Sequence, residues 1–266
     1  MNSLQLIRAL VFDLDGTLLN TQKRVSERTQ QTLMRCFQKG LHLFIATARP
    51  PRSVKHVIPS QILQHVSAVY YNGAYCHDHR SGGTLNFTIP TSIATKIIDY
   101  ICRRNETNTL SIESEDILYA LSNAIYEQNR KHMFVPPTLV SQNTLSAIPA
   151  NKILLIRCSS ESRHYIMSFK DQLNIVETDA GELIQVMAKN VSKASAVSAL
   201  CKRQNISMNQ VMAFGDDWND LDLFKACGIS VAMGNAVPGL EKYATTRAGT
   251  NDEEGVAAFL ERWLSH

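Results

Sequence analysis

Two aspartates two positions apart, Asp13 and Asp15, close the first apolar run of the chain in the segment Asp13-Leu14-Asp15-Gly16-Thr17. In a still-extended segment, carboxylates at that spacing point to the same side. A third acid, Asp216, stands in Gly215-Asp216-Asp217-Trp218-Asn219-Asp220, directly after another apolar run, Val211–Phe214. Brought together, Asp13, Asp15 and Asp216 repel one another unless a cation neutralises them. All-oxygen ligands select a hard ion, and Mg2+ is the expected one, because it keeps waters and takes phosphate as a remaining partner. The alternative use of such acids, as turn formers and helix N-caps, suits Asp217 taken alone but does not account for the other three. Lys193 is the complementary candidate: it opens a helix, where a cation is mildly unfavourable against the helix dipole. That placement acquires a purpose if the amine faces an anion held at the same helix end.

The elements that must carry these groups follow from apolar patterning. Residues 8–12, 41–46 and 68–71 read as buried strands, too short for helical periodicity. Between the first two, the spacing predicts a helix over 27–39, with Ser26 as N-cap, Leu33, Met34 and Phe37 inward, and Gly40 as its stop. Thr47-Ala48-Arg49-Pro50 closes the second strand, and Asn72-Gly73 predicts a tight turn and a hairpin back through Tyr75. After Ser81-Gly82-Gly83 the texture changes to short strands (84–89, 109–113, 117–121, 153–158, 173–177, 183–187) and helices near 92–104, 124–132 and 162–172. Several of these strands alternate polar and apolar residues, as in a sheet with one covered face. Phe134–Ala150, with Pro136, Pro137 and Pro149, reads as a surface connection. From Ser192 the earlier pattern returns: a helix to Arg203, a strand 211–214, a helix 219–227, a strand 229–233 and a final helix 254–264.

The fold class expected is therefore α/β, a Rossmann-like parallel-sheet core with an inserted α/β domain. The expected boundaries are 1–82 and 188–266 for the core and 83–187 for the insert. In open α/β sheets function gathers past the carboxyl ends of strands. Asp13, Asp15, Thr17, Thr47, Asn72, Gly73 and the 215–220 segment all fall there.

Composition narrows the function classes. The chain has 266 residues, with 27 basic against 24 acidic side chains, a net charge of +3 that argues against nucleic acid or an anionic membrane as partner. No apolar run reaches the eighteen or so residues of a membrane span, and Asp13 and Asp15 interrupt the only apolar stretch near the N-terminus, so a soluble cytoplasmic protein is expected. The cysteines Cys36, Cys76, Cys102, Cys158, Cys201 and Cys227 never fall in C-x2-C spacing and read as reduced core thiols. His77 and His79 read as a polar hairpin tip.

Asp13-Leu14-Asp15-Gly16-Thr17, Thr47, Lys193 and Gly215-Asp216-x-x-Asn219-Asp220 resemble, in order, the four motifs of the haloacid dehalogenase (HAD) superfamily of phosphohydrolases. Tyr71-Asn72-Gly73-Ala74, Val191-Ser192-Lys193, Val231-Ala232-Met233-Gly234-Asn235-Ala236 and Glu254-Gly255-Val256-Ala257 narrow the resemblance to the Cof-type group, subclass IIB. The insert agrees in position and texture with that group's C2B-type cap. Ala48 departs from the glycine usual at its position, and a small residue there still leaves its N–H available. The resemblance implies Asp13 as nucleophile, forming an aspartyl-phosphate that water hydrolyses, and Asp15 as general acid and base. It implies Mg2+ held by Asp13, Asp216 and the Asp15 backbone carbonyl. The hydroxyl of Thr47, the N–H groups of Leu14 and Ala48, Lys193 and the Asn219 amide would cradle phosphate. Asp220 would orient Lys193, and Asn72 would support the site from behind. The implied partner is a small-molecule phosphomonoester.

Rival readings are a phosphomutase of the same superfamily, a phosphoacceptor switch domain, which needs no insert, and a DxD glycosyltransferase, which leaves Lys193 and the 215–220 loop without a role. Neither G-x-x-x-x-G-K-[ST] nor G-x-G-x-x-G occurs, which disfavours a nucleotide-binding protein.

Overall fold

The structure, a computed structural model, describes residues 7–128, 135–178 and 181–265. Its chain divides into two compact units, Met1–Leu85 with Ser192–His266, and Asn86–Val191.

The first unit is built on a sheet with β1 (Ala9–Phe12), β2 (His42–Ala46), β3 (Val66–Tyr70), β4 (Tyr75–His77) and β5 (Thr84–Asn86), joined by three strands from the C-terminal part of the chain. β1, β2 and β3 are wholly buried, because helices cover both faces of a parallel sheet and leave no polar side. The connecting helices are α1 (Glu27–Gln38), α2 (Pro51–Val57) and α3 (Ser60–Leu63). Ser26 caps α1, its side chain accepting from the Thr29 N–H; Leu33 is buried as expected, but it is joined in the buried stripe by Thr29, Thr32 and Cys36 and not by Met34 and Phe37. Phe37 instead lies beside the His65 ring at 4.4 Å between centroids, so its ring finds a partner at the edge of the core. The Asn72-Gly73 turn is followed by antiparallel pairing of β3 with β4, with Tyr70 opposite Tyr75.

The second unit holds α4 (Thr91–Arg103), β6 (Leu110–Ser114), β7 (Ile117–Ala120), α5 (Ala124–Gln128), β8 (Thr138–Leu139), α6 (Gln142–Ala147), β9 (Lys152–Ile156), α7 (Ser160–Met167), β10 (Leu173–Thr178) and β11 (Leu183–Ala188). Its sheet runs in the order β10-β11-β9-β6-β7-β8, antiparallel except for β7 with β8. One face packs Leu110, Ile112, Ile153, Leu155, Ile184 and Val186 against Ile97, Ile101 and Ile166 of the helices. The opposite positions of these strands mix polar Ser111, Glu113, Lys152 and Gln185 with apolar Leu154, Ile156, Leu183 and Met187, so the period-2 alternation expected of a sheet with one covered face is only partly kept. Residues 129–132 of the helix expected over 124–132, and Phe134, lie outside the described residues. The expected surface connection to Ala150 contains β8 and α6, and Leu145 of α6 is fully buried. α7 ends at Met167, short of the expected 172.

The chain then re-enters the first unit through α8 (Lys193–Arg203), β12 (Val211–Gly215), α9 (Leu221–Ala226), β13 (Ile229–Ala232), β14 (Thr246–Arg247) and α10 (Gly255–Leu264). The sheet order β14-β13-β12-β1-β2-β3-β4-β5 is parallel from β14 to β3. Chain order runs outward from β1 on one side and from β12 on the other, so a topological switch point lies between β1 and β12. Ligand sites of open α/β sheets open at such a point. Behind it, Phe12 stacks on Phe214 at 5.2 Å and Phe214 meets Phe259 edge-on at 5.5 Å, fixing the two strand ends that bear the acids.

Candidate active site

Asp13 follows β1 and donates its backbone N–H to Phe214 O at 3.0 Å, which continues the β1–β12 ladder to the last residue before the turn. From there the chain coils: Leu18 N–H reaches Asp13 O, and Leu19 N–H reaches Leu14 O. This turn ends the two-residue alternation, so the Asp15 side chain does not converge with Asp13 as an extended strand would require. It meets Arg49 instead, through Nε to Oδ2 at 2.6 Å and Nη2 to Oδ1 at 2.7 Å, and Lys23 Nζ at 2.7 Å. Gly16 sits in the turn at φ +80, and a Cβ there would lie 2.1 Å from Asp216 Oδ2. Only glycine lets the first loop approach the Asp216 carboxylate this closely.

The carboxylates that do crowd together are Asp13, Asp216 and Asp220, with ligand oxygens all within 4.8 Å of one another. Lys193, its side chain fully buried, donates from Nζ to Asp13 Oδ1 at 2.5 Å and to Asp220 Oδ1 at 2.7 Å. The other Asp220 oxygen accepts the backbone N–H groups of Asp216 and Asp217. Thr17 Oγ1 donates to Asp216 Oδ1 at 2.9 Å. Lys193 is the first residue of α8, whose cap Ser192 forms a reciprocal pair with Ser195. A Cβ on Gly73, at φ +114, would lie 2.3 Å from Ser192 O. The turn after β3 can therefore abut the start of α8 only with glycine at that position.

Thr47 is buried after β2, its Oγ1 accepting from Arg49 N–H and its carbonyl from Asn72 N–H. Asn72, at φ 54, accepts at Oδ1 from Asn219 Nδ2 at 3.3 Å. Asn219 Oδ1 is buried and has no hydrogen-bond partner among the described residues. Leu14 is fully buried, its carbonyl taken by Thr17 and Leu19, and Ala48 lies between Thr47 and Arg49 in the β2 loop. Asp217 serves as an N-cap, accepting from Trp218 N–H at 2.7 Å. Trp218 is half exposed and meets Tyr243 edge-on. Sequence reasoning had not singled out Arg49 or Lys23. Arg49 occupies a strand-end position like the others, a usable signal; nothing in the sequence marks Lys23.

The electrostatics follow from burial and crowding. Burial pushes the Asp13 carboxyl up to about 8, against the pull of Lys193 and helped by Asp220 and Asp216. Burial and the Asp220 charge push Asp216 up to about 7, with Thr17 and Lys193 opposing. Burial works upward on Asp15 too, but Arg49 and Lys23 outweigh it and hold that carboxyl at about 2. Burial would lower Lys193, yet Asp13 and Asp220 raise it, so the amine stays charged.

Comparison with known proteins bears on this arrangement. A family model described as haloacid dehalogenase-like hydrolase matches residues 10–260. The chain is 27% identical over 270 residues to 5-amino-6-(5-phospho-D-ribitylamino)uracil phosphatase YitU of Bacillus subtilis, covering 96% of this chain and 97% of that protein. It is 24% identical over 273 residues to the pyridoxal phosphate phosphatase YbhA of Escherichia coli, covering 95% and 97%. Among solved structures it is similar to TM0651 of Thermotoga maritima, with 28% identity, a TM-score of 0.85, and coverage of 96% and 97%. The family match spans nearly the whole chain and takes in both strand ends that carry the acids: the chain belongs to the haloacid dehalogenase-like hydrolase family.

Proposed function

We propose that this protein is a Mg2+-dependent phosphatase that hydrolyses small phosphomonoesters through an aspartyl-phosphate on Asp13. The observation that carries the reading is the crowding of Asp13, Asp216 and Asp220 around the buried ammonium of Lys193. Three carboxylates stand against one cation, and Asp13 and Asp216, raised first by burial and further by their acidic neighbours, hold protons that a bound cation would displace. A hard divalent cation satisfies an all-oxygen set of this kind, so these residues fit Mg2+. Asp13 and Asp216 would hold it, with the Asp15 carbonyl as the further ligand that the family resemblance implies. When bound, the ion neutralises charge on the transferring phosphoryl group.

In this reading an Asp13 oxygen attacks phosphorus, the ester P–O bond breaks, and Asp15 gives its proton to the departing oxygen. Water then attacks the aspartyl-phosphate and passes a proton to Asp15, releasing inorganic phosphate and restoring Asp13. The acid role requires the Asp15 carboxyl to leave Arg49 and Lys23, since an acid held at about 2 carries no proton to give. Lys193, Thr47, Asn219 and the N–H groups of Leu14 and Ala48 hold the remaining phosphate oxygens. We assign the Asn86–Val191 unit the role of the cap that selects the organic group. A cytoplasmic setting agrees with the six free thiols. Among the described residues no helix is long and apolar enough to cross a membrane.

The test is phosphate release from a panel containing 5-amino-6-(5-phospho-D-ribitylamino)uracil, pyridoxal phosphate and sugar phosphates, with and without Mg2+. Release that requires Mg2+ is expected. Folded protein releasing no phosphate from any member of the panel overturns the reading.

The raised carboxyls also set a pH dependence. Asp13 at about 8 and Asp216 at about 7 keep their protons in the folded chain where unfolded carboxyls, at 3.8, have lost them. The folded state then binds more protons, so their contribution is full below the unfolded value and is lost as pH rises through 7 and 8. Lys193 and Thr17 temper this loss and Asp220 sharpens it. Mg2+ competes with those protons, so it should raise the melting temperature more at about pH 8.5 than at about pH 5.5. Calorimetry with and without Mg2+ checks this, and an equal rise at both pH values removes Asp13 and Asp216 as ligands.

A further inference from the structure

The turn that carries Asp15 is gripped from outside by side chains of two loops distant in sequence. Asn235, after β13, donates from Nδ2 to Gly16 O at 2.8 Å and accepts at Oδ1 from the Asn251 N–H at 2.9 Å. Asn251 donates from Nδ2 to Leu19 O at 2.9 Å, and Asp252 Oδ1 accepts the Thr21 N–H at 2.8 Å. Neither Asn251 nor Asp252 caps the following helix, since the residue at the cap of α10 is Glu254. The Asn235 loop is itself tied to the acidic loop, through Val237 N–H to Asp216 O at 2.8 Å and Met233 N–H to Gly215 O at 3.0 Å. It is tied to the last loop through Gly234 N–H to Gly249 O at 3.0 Å. The Asn235 amide thus links the loop bearing Asp15 to the loop before α10, while the backbone on either side of Asn235 holds the loop bearing Asp216.

We propose that Asn235 and Asn251 are positioning residues, a clamp on the 16–21 turn that fixes how Asp13 and Asp15 are presented relative to Asp216. The grip is applied at both ends of the turn, at Gly16 and Leu19, while Thr17 inside it reaches Asp216 and Lys23 beyond it reaches Asp15. Exposed and part-buried hydrogen bonds of this kind add little to global stability. A displacement of about 1 Å at reacting groups, by contrast, costs on the order of a hundredfold in rate. Loss of the clamp should therefore separate catalysis from folding. The catalytic half of the proposal rests on the phosphatase reading above.

Asn235→Asp and Asn251→Asp keep side-chain size and the acceptor oxygen but replace the Nδ2 donor with a carboxylate facing a carbonyl. Two readouts are needed: amide hydrogen exchange across residues 14–24 in the metal-free protein, and kcat and KM for p-nitrophenyl phosphate with Mg2+. Faster exchange at Leu18, Leu19 and Thr21 is expected. With it, kcat should fall about tenfold to a hundredfold while KM stays within about twofold. Unchanged exchange overturns the clamp. Faster exchange with unchanged kcat, or a kcat loss that merely follows loss of folded protein, overturns the positioning role. Wild-type protein that turns over no phosphomonoester overturns the phosphatase reading and the catalytic half with it, an outcome distinct from the exchange result.

Discussion

Asp13→Asn is expected to lose phosphomonoester turnover by about 10⁴-fold or more, while its metal-free form melts no lower than the wild type. An amide nitrogen or oxygen cannot form the acyl phosphate, so the first bond is never made. The stability half of the expectation comes from the surroundings. With Asp13 raised to about 8, the metal-free wild type carries mostly the neutral carboxyl at neutral pH, and an amide nearly matches it in size and charge. Lys193 retains Asp220 at 2.7 Å, and one carboxylate fewer crowds Asp216. Mg2+ should accordingly raise the melting temperature of the variant much less than that of the wild type. Steady-state kinetics and calorimetry on both proteins check the two halves. Turnover within about tenfold of wild type removes Asp13 from the nucleophile role, and a large fall in melting temperature makes the Asp13–Lys193 pair structural instead.

The strands β1 to β3, β12 and β13 were legible because parallel strands buried on both faces appear as unbroken apolar runs, each ending abruptly in polar residues, whereas the short α2 and α3 were not. That abruptness also located Asp13, Thr47, Asn72 and the 215–220 loop, which the sheet places at neighbouring strand ends. What the sequence could not supply was direction. The Asp13-Leu14-Asp15 spacing implies a shared face only while the chain stays extended, and the coil closed by Leu18 and Leu19 turns Asp15 toward Arg49. Asp220 takes its place in the carboxylate cluster, because the short 3-10 turn at Trp218–Asp220 folds that side chain back under Asp216 N–H. α1 shows the same limit: the apolar positions Met34 and Phe37 lost the innermost places to Thr29, Thr32 and Cys36, as the sheet surface accepts small residues close in. In residues 135–150 the prolines suggested a connection, yet α6 spans only Gln142–Ala147 and buries Leu145 alone, too little for a periodic signal. β14, at Thr246–Arg247, was shorter still.

Lys193 is where local rules and the assembled site disagree most, and its removal should therefore be costly in two ways. A lysine at the first position of a helix is mildly unfavourable against the dipole, yet its side chain here is fully buried between Asp13 and Asp220. Taking the ammonium away leaves three clustered carboxylates with no buried cation among them. Removing one partner from a buried ionic set typically costs about 3–5 kcal/mol. Lys193→Met, which keeps most of the stem volume, is expected to destabilise the metal-free protein by about that amount above about pH 8, and by less near neutral pH, where Asp13 and Asp216 already hold protons. Mg2+ restores part of the loss, since it replaces the missing positive charge. It should not restore the rate, because the amine proposed to hold the phosphoryl oxygens is gone, and turnover should stay down by about a hundredfold or more. Thermal unfolding of wild type and variant with and without Mg2+, beside their kcat values, separates the two roles. A variant as stable as wild type without metal would mean that the ammonium does not neutralise the cluster. An unchanged kcat would mean that it never touches the phosphoryl group.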